Sequence, residues 1–398
     1  MVSLADIRYA QVLIAPHIIH TPLVHSPTIS TLTGAQVYLK LETLQKAGSF
    51  KVRGASYKIF SSLEQCKEHG VVAASAGNHA QGVAIAARSA GVPATIVMPE
   101  WSSIAKQEAT RGYGAEVIIT GLTLDESIEQ AQEIARDGGL FIHPYDDDGV
   151  ITGQGTIALE ILQDLPDADM IVVPVGGGGL IAGIAIAAKG LRPDISIIGA
   201  QAKACPSAYE AMRHVEPVRV DAGRTIADGI RVIQTGTETL PVIRELVDMI
   251  ALATEEEIAD AMLLLMERKH VIAEGAGATP LAALLNGSIP VKPGSKVVLV
   301  ISGGNVDSPQ LFRILKQALL RHGRIIRLSV LLDDRPGTLA RLLFTIAKEQ
   351  GNILSIQHIQ GESDTAAHQA RVDLELETRG MAHVDAIKKA LGNQGYDL

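Results

Sequence analysis

The chain has 398 residues, of which 47% are hydrophobic and 20% charged, more than one ordinary core needs, so two or three packed lobes are expected. A formal charge of −9 and only 3% aromatic residues argue against nucleic-acid and anionic-membrane surfaces, which need positive charge or stacking rings. Two cysteines, Cys66 and Cys205, make no disulfide framework and fit a reducing cytoplasm.

Residues 1–10 lack the apolar run of a signal peptide. No stretch reaches the roughly 20 apolar residues of a bilayer span. Through residue 320, short aliphatic runs alternate with longer helical patterns. The runs include 71–74, 94–98, 116–120, 170–175, 195–200 and 296–301. Most are apolar throughout, as strands covered by helices on both faces are. Helical patterns occupy 80–90, 125–137, 180–189 and 255–267. This βαβ rhythm predicts an α/β protein with mostly parallel sheet, in two lobes with a cleft at the strand ends.

The pattern changes after Arg324. Ile326, Leu328, Val330 and Leu332 alternate with more polar neighbours, as in a half-buried strand. A turn follows at Asp334-Arg335-Pro336-Gly337. Leu339, Leu342, Leu343 and Ile346 then share a helical face. Strands near 353–359 and 370–377 and a helix over 382–391 complete a βαββα order, with room for a last strand at the terminus. Residues 321–324 read as the linker.

Four glycine-bearing segments carry the candidate chemistry. Lys51 lies in Gly48-Ser49-Phe50-Lys51-Val52-Arg53-Gly54-Ala55, with little surrounding bulk, as an amine meant for Schiff-base formation requires. Gly176-Gly177-Gly178-Gly179 ends a strand and Leu180 opens a helix, so backbone N–H groups converge at a helix N-terminus suited to a phosphate. Gly177-x-Gly179-x-x-Ala182 also meets the loose dinucleotide-fold pattern, but Gln201 stands where that fold wants an acid. Ser75, Ala76, Gly77, Asn78 and His79 follow a strand and could clasp a carboxylate; an ordinary helix start at Asn78 is equally open. Ser302, Gly303, Gly304 and Asn305 follow another strand and also fit a plain turn. The 12 histidines form no metal spacing, and Asp146-Asp147-Asp148 reads as a solvated turn.

Together these segments, with Gly153-Gln154-Gly155-Thr156 and Ala227-Asp228-Gly229, resemble the fold-type II pyridoxal-phosphate enzymes, tryptophan synthase β-like. Among these they are most similar to the threonine dehydratases, or threonine ammonia-lyases. The resemblance spans nearly the whole chain, and its last part resembles an ACT domain. It implies a pyridoxal 5′-phosphate catalytic domain over 1–320, with a small lobe at about 45–150 inserted in a large one, and an ACT regulatory domain over 325–398. It implies that Lys51 holds the cofactor, Phe50 flanks its ring and Asn78 binds the ring hydroxyl. Gly176, Gly177, Gly178, Gly179 and Leu180 would hold the phosphate, and Ser302 would face the pyridine nitrogen. Ser75 to His79 would take the substrate carboxylate. The implied reaction is deamination of L-threonine to 2-oxobutanoate and ammonia, with L-serine to pyruvate as a side activity. The partners implied are a small amino-acid substrate, an amino-acid effector around Asp334 and Gly337, and further copies of the chain.

Serine racemases and 3-hydroxyaspartate dehydratases are similar and remain the alternative. The racemases carry a second serine where Ala76 stands, which disfavours racemisation. They also bind a divalent ion near positions occupied here by Gln201 and Ser207, so no metal site is expected. Ala47 replaces a threonine common in the family, a small departure.

Overall fold

The computed structural model describes residues 2–214, 218–360 and 366–397. Its chain forms two compact units, Met1–Asp307 and Ser308–Leu398.

Among the described residues, ten strands build the first unit: β1 (Leu23–His25), β2 (Gln36–Leu41), β3 (Val71–Ala74), β4 (Ala94–Met98), β5 (Glu116–Ile119), β6 (Leu140–Phe141), β7 (Met170–Pro174), β8 (Ser196–Ala202), β9 (Met249–Ala253) and β10 (Lys296–Ile301). They divide between a six-stranded sheet in the order β1-β2-β10-β7-β8-β9 and a four-stranded sheet in the order β5-β4-β3-β6. Only the β1–β2 pairing is antiparallel. The smaller sheet is built wholly from chain between β2 and β7.

The apolar runs behave as their composition requires. β3 is buried at every residue and β10 at all but Lys296, because helices cover both faces of each sheet. The predicted helices are present with ends shifted by a residue or two, such as Asn78–Ala90, Gly179–Leu191 and Glu255–Lys269. Helix ends are where sequence periodicity carries least information.

Lys51 is the first residue of a helix, Lys51–Ser61. This helix packs against Asp148–Asp164, which in turn packs against Gly179–Leu191. Glycines set the spacing of that three-helix stack. A Cβ on Gly153 would lie 2.6 Å from the Arg53 carbonyl, and one on Gly155 would lie 2.8 Å from the Gly183 carbonyl. The Gly153-Gln154-Gly155 segment is thus a helix-packing seam.

A closed ion network pins the same helix. Arg53 is fully buried and bonds Glu42 through Nε at 2.8 Å and Glu160 through Nη1 at 2.6 Å. Lys40 reaches Glu160 at 2.6 Å and the Thr21 carbonyl at 2.6 Å. Burial alone would favour loss of the Arg53 charge, but the two carboxylates outweigh it and raise the pKa.

The second unit opens with the helix Ser308–Arg321. It continues through β11 (Ile325–Asp333), the helix Thr338–Lys348, β12 (Asn352–Gln360), β13 (Gln369–Glu377) and the helix Met381–Asn393. The sheet order is β11-β13-β12, antiparallel throughout. Ile326, Leu328, Val330 and Leu332 face a small core with Val372, Leu374 and Leu376. Among the described residues no strand follows the last helix, so the terminal strand allowed for by the sequence is absent there. Among the described residues, no helix is long and apolar enough to cross a membrane.

Candidate active site

Both sheets of the first unit reverse strand order at one point. From β7 the chain proceeds to β8 and β9 on one side, while β10 lies on the other. From β3 it proceeds to β4 and β5 on one side, while β6 lies on the other. Crevices outside the carboxyl ends of strands form at such switch points. The segments at these four ends are 176–180 after β7, 302–305 after β10, 75–79 after β3 and 143–145 after β6.

A cavity joins Phe50 and Lys51 to the 176–180 turn, with Tyr145 and Ile230 at its sides. Lys51 Nζ donates to the Pro144 carbonyl at 2.6 Å and lies 5.1 Å from the centre of the Phe50 ring. Burial pushes its ammonium pKa down to about 8, partly offset by the attraction of Glu274. The amine is therefore far easier to deprotonate than an ordinary lysine. The lysine segment is stitched to β10: the Phe50 N–H donates to the Ser302 carbonyl at 3.0 Å and the Gly304 N–H to the Gly48 carbonyl at 2.9 Å.

Opposite Lys51, Gly178 takes φ +102 and caps the helix Gly179–Leu191. Among the described residues, the N–H groups of residues 176–180 donate to no protein acceptor. The Gly177 carbonyl is held from outside by the Gly236 N–H at 3.1 Å and the Thr239 hydroxyl at 2.7 Å. A side chain on Gly177 would run into the Tyr145 ring, and one on Gly179 would lie 2.6 Å from the Tyr145 carbonyl. Convergent free amides at a helix N-terminus, in a turn closed to side chains, fit a phosphate group.

A second cluster lies at the ends of β3 and β10. Asn305 Nδ2 donates to the Ala47 carbonyl at 2.7 Å and to Asn78 Oδ1 at 2.8 Å. Asn78 Nδ2 donates to Glu274 Oε1 at 2.7 Å. Glu274 is 4% exposed, and burial raises its pKa to about 7 with help from Asp228. The Asn78 hydrogen bond and the charges of Lys106 and Lys51 oppose that rise. Ser302 is buried at the end of β10.

The 75–79 turn is less uniform than its sequence suggests. The Gly77 N–H bonds Ser75 Oγ at 3.1 Å, and Asn78 opens the helix Asn78–Ala90. The His79 ring points elsewhere: Nε2 lies 2.9 Å from the Ile142 carbonyl. Burial and the nearby Lys51 charge depress its pKa to about 3. His79 can therefore serve a ligand in this turn through its backbone only.

Of the expected residues, the structure brings Phe50, Lys51 and 176–180 into one cavity and links Asn78 to the β10 end. Tyr145 and Glu274 emerge only in three dimensions. Burial raises the Tyr145 hydroxyl to about 12. A lone acid in Ala273-Glu274-Gly275-Ala276-Gly277 is the one sequence signal that could have marked Glu274. Gln201 is occupied elsewhere: its Oε1 accepts the Ala208 and Tyr209 N–H groups at 3.1 Å each, and its Nε2 donates to Ser207 at 3.3 Å. Of the acidic run, Asp146 accepts the N–H groups of Thr237, Glu238 and Thr239, and Asp147 caps the helix Asp148–Asp164.

Comparison with known proteins matches this geometry. The family model described as "Pyridoxal-phosphate dependent enzyme" matches residues 14–303. An L-threonine ammonia-lyase of Thermotoga maritima is 45% identical over 100% of this chain and 99% of its own length. The solved structure of maize serine racemase is 37% identical with a TM-score of 0.75, covering 81% of this chain and 99% of that one. The processed form of threonine deaminase isoform 2 from Solanum lycopersicum is 36% identical with a TM-score of 0.74, covering 79% of this chain and 92% of that one. With most of its length matched and its amides and lysine disposed as such a cofactor requires, the chain belongs to the pyridoxal-phosphate dependent enzymes.

Proposed function

We propose that this protein deaminates L-threonine to 2-oxobutanoate and ammonia, and L-serine to pyruvate more slowly. The observation that carries the reading is the pairing, in one cavity, of a lysine amine depressed to about 8 with the unpaired amides of 176–180. The relatives named above support the choice of substrate. When bound, pyridoxal 5′-phosphate supplies an electron sink for the bond broken at the substrate α-carbon.

The chain's own residues supply the rest. Lys51 Nζ holds the cofactor and, once released, takes the α-proton, a task its lowered pKa suits. Residues 176–180 bind the phosphate through backbone amides. Asn78 binds the ring hydroxyl, and Phe50 flanks the ring. Ser302 offers the pyridine nitrogen a neutral hydroxyl, which leaves the nitrogen largely unprotonated and favours elimination over transamination. Ser75, Ala76 and Gly77, with the amides of Asn78 and His79, bind the substrate carboxylate. Loss of water from the substrate and its re-addition with release of ammonia balance the reaction. Ala76 has only a methyl group and can deliver no proton, so racemisation is not the main outcome.

We also infer that residues 325–398, within the second unit, form an ACT-like regulatory domain for an amino acid. Its supports are the strand-turn-helix with Gly337 at φ +93 and Asp334 bonded by Gln360 Nε2 at 2.9 Å. The strand β12 sits at a sheet edge with Leu354 and Ile356 exposed, which suits pairing in a symmetric homo-oligomer.

A keto-acid assay with L-threonine, L-serine and 3-hydroxyaspartate tests the reading. Turnover of threonine ahead of the others is expected. Fast hydroxyaspartate turnover with slow threonine turnover would replace it.

A further inference from the structure

We propose that Glu274 is a positioning residue whose carboxyl accepts an Nδ2–H of Asn78, anchors that amide and so sets the grip of this site on the cofactor ring. The inference rests on the functional reading above and adds a residue to it. A backbone carbonyl can only accept a hydrogen bond, so the Ala47 oxygen dictates that Asn305 presents Nδ2, at 2.7 Å. The second hydrogen of that nitrogen meets Asn78 Oδ1 at 2.8 Å. The Asn78 oxygen is thereby assigned, and its Nδ2 must face the other way, toward Glu274 Oε1 at 2.7 Å. A carbonyl at one end and a carboxyl at the other leave the two amides one consistent orientation. One Nδ2–H of Asn78 is left over: among the described residues it meets no acceptor.

Glu274 is itself rigidly held. Its N–H donates to the Gly303 carbonyl at 3.1 Å, so it is tied to the segment after β10. It begins the helix Gly275–Leu285, where a side chain on Gly277 would lie 2.6 Å from the Gly303 carbonyl. A carboxyl 4% exposed, with Asn78 as its one hydrogen-bond partner among the described residues, is expensive to bury for packing alone. The charged groups around it come from three directions: Asp228 repels its negative form, while Lys106 and Lys51 favour it. Lys106 is shared with Asp228 at 3.4 Å. The carboxyl thus sits where modest changes in pH alter its charge, and the charged form is the stronger acceptor for Asn78.

The test titrates apoprotein with pyridoxal 5′-phosphate, following fluorescence quenching and visible absorbance from about pH 6 to about pH 9. Wild-type affinity is expected to rise with pH through neutrality. Glu274→Ala is expected to weaken binding about tenfold to hundredfold. In an Asn78→Ala background the same change is expected to weaken it by no more than about twofold. Glu274→Gln keeps an acceptor and the volume, so it should bind within about threefold of wild type yet lose the inflection near about 7, keeping only the later rise near about 8 that Lys51 imposes.

An equal loss from Glu274→Ala with and without Asn78 would overturn the proposal. So would a Gln variant whose pH profile matches wild type, and this measurement decides if the Ala variant does not fold. A wild-type protein that binds no cofactor would instead refute the functional reading itself, and the role of Glu274 with it.

Discussion

Lys51 derives its reactivity from where its nitrogen sits. With its pKa near 8 rather than the ordinary 10.5, a substantial fraction of the amine is neutral at physiological pH. Cofactor capture by apoprotein, followed by stopped-flow absorbance, should therefore accelerate with rising pH and level off above about 8. A profile still climbing toward 10.5 would show that burial does not act on this amine. Lys51→Ala should abolish the absorbance of the bound imine and lower keto-acid production by at least about a thousandfold, the scale of a lost acid-base group. The lysine was legible because an amine between glycines is unusual. Glu274 was not, because nothing local distinguishes an acid that pairs with a residue 196 positions away. The ring of His79 shows the same limit: its place in the turn is local, but the direction of its side chain depends on the Ile142 carbonyl across the fold.

The helices around the lysine show a similar division. The sequence placed Asn78–Ala90 and Gly179–Leu191 within two residues of their ends, although both are buried on nearly every side. It gave no sign of Asp148–Asp164, in which every residue from Val150 to Leu162 is buried; glycines at 149, 153 and 155 weaken the helical signal there. Those glycines let backbones approach. Gly155→Ala would force a methyl against the Gly183 carbonyl, only 2.8 Å away, and should destabilise the protein by about 1–3 kcal/mol. Gly112→Ala, at the end of the helix Ile104–Gly112 with open space around it, should change stability by less than about 1 kcal/mol. Equal shifts in the denaturant midpoint for the two variants would count against the seam. Glu160→Ala leaves Arg53 and Lys40 buried without that carboxylate and should lower stability by about 3–5 kcal/mol, again read by chemical denaturation.

At the scale of the molecule, the parallel sheets were readable from their uniformly apolar runs. The change to strict alternation after Arg324 marked β11 but not the start of the second unit, because the helix Ser308–Arg321, expected within the first domain, belongs to the second. Strand order was not, because pairing between β2 and β10 joins residues some 260 apart and leaves no trace in either segment. For the second unit the expected outcome is a response of threonine turnover to isoleucine or valine that Asp334→Ala weakens several-fold, within the usual 1–3 kcal/mol of allosteric coupling. Identical effector curves for the two proteins would place the effector elsewhere.

The stitching of the lysine segment to β10 has a mechanical consequence. The amine and the residues at the β10 end share one rigid frame. The helix Asn78–Ala90 is locked into the same frame: a Cβ on Gly82 would lie 3.0 Å from the Lys51 Cβ, and Asn78 bridges Asn305 and Glu274. The backbone passes from one sheet to the other only twice, between β2 and β3 and between β6 and β7, so side-chain bridges rather than chain crossings clamp the two sheets together. The amine and the start of the helix Asn78–Ala90 therefore shift as one piece when either sheet is strained.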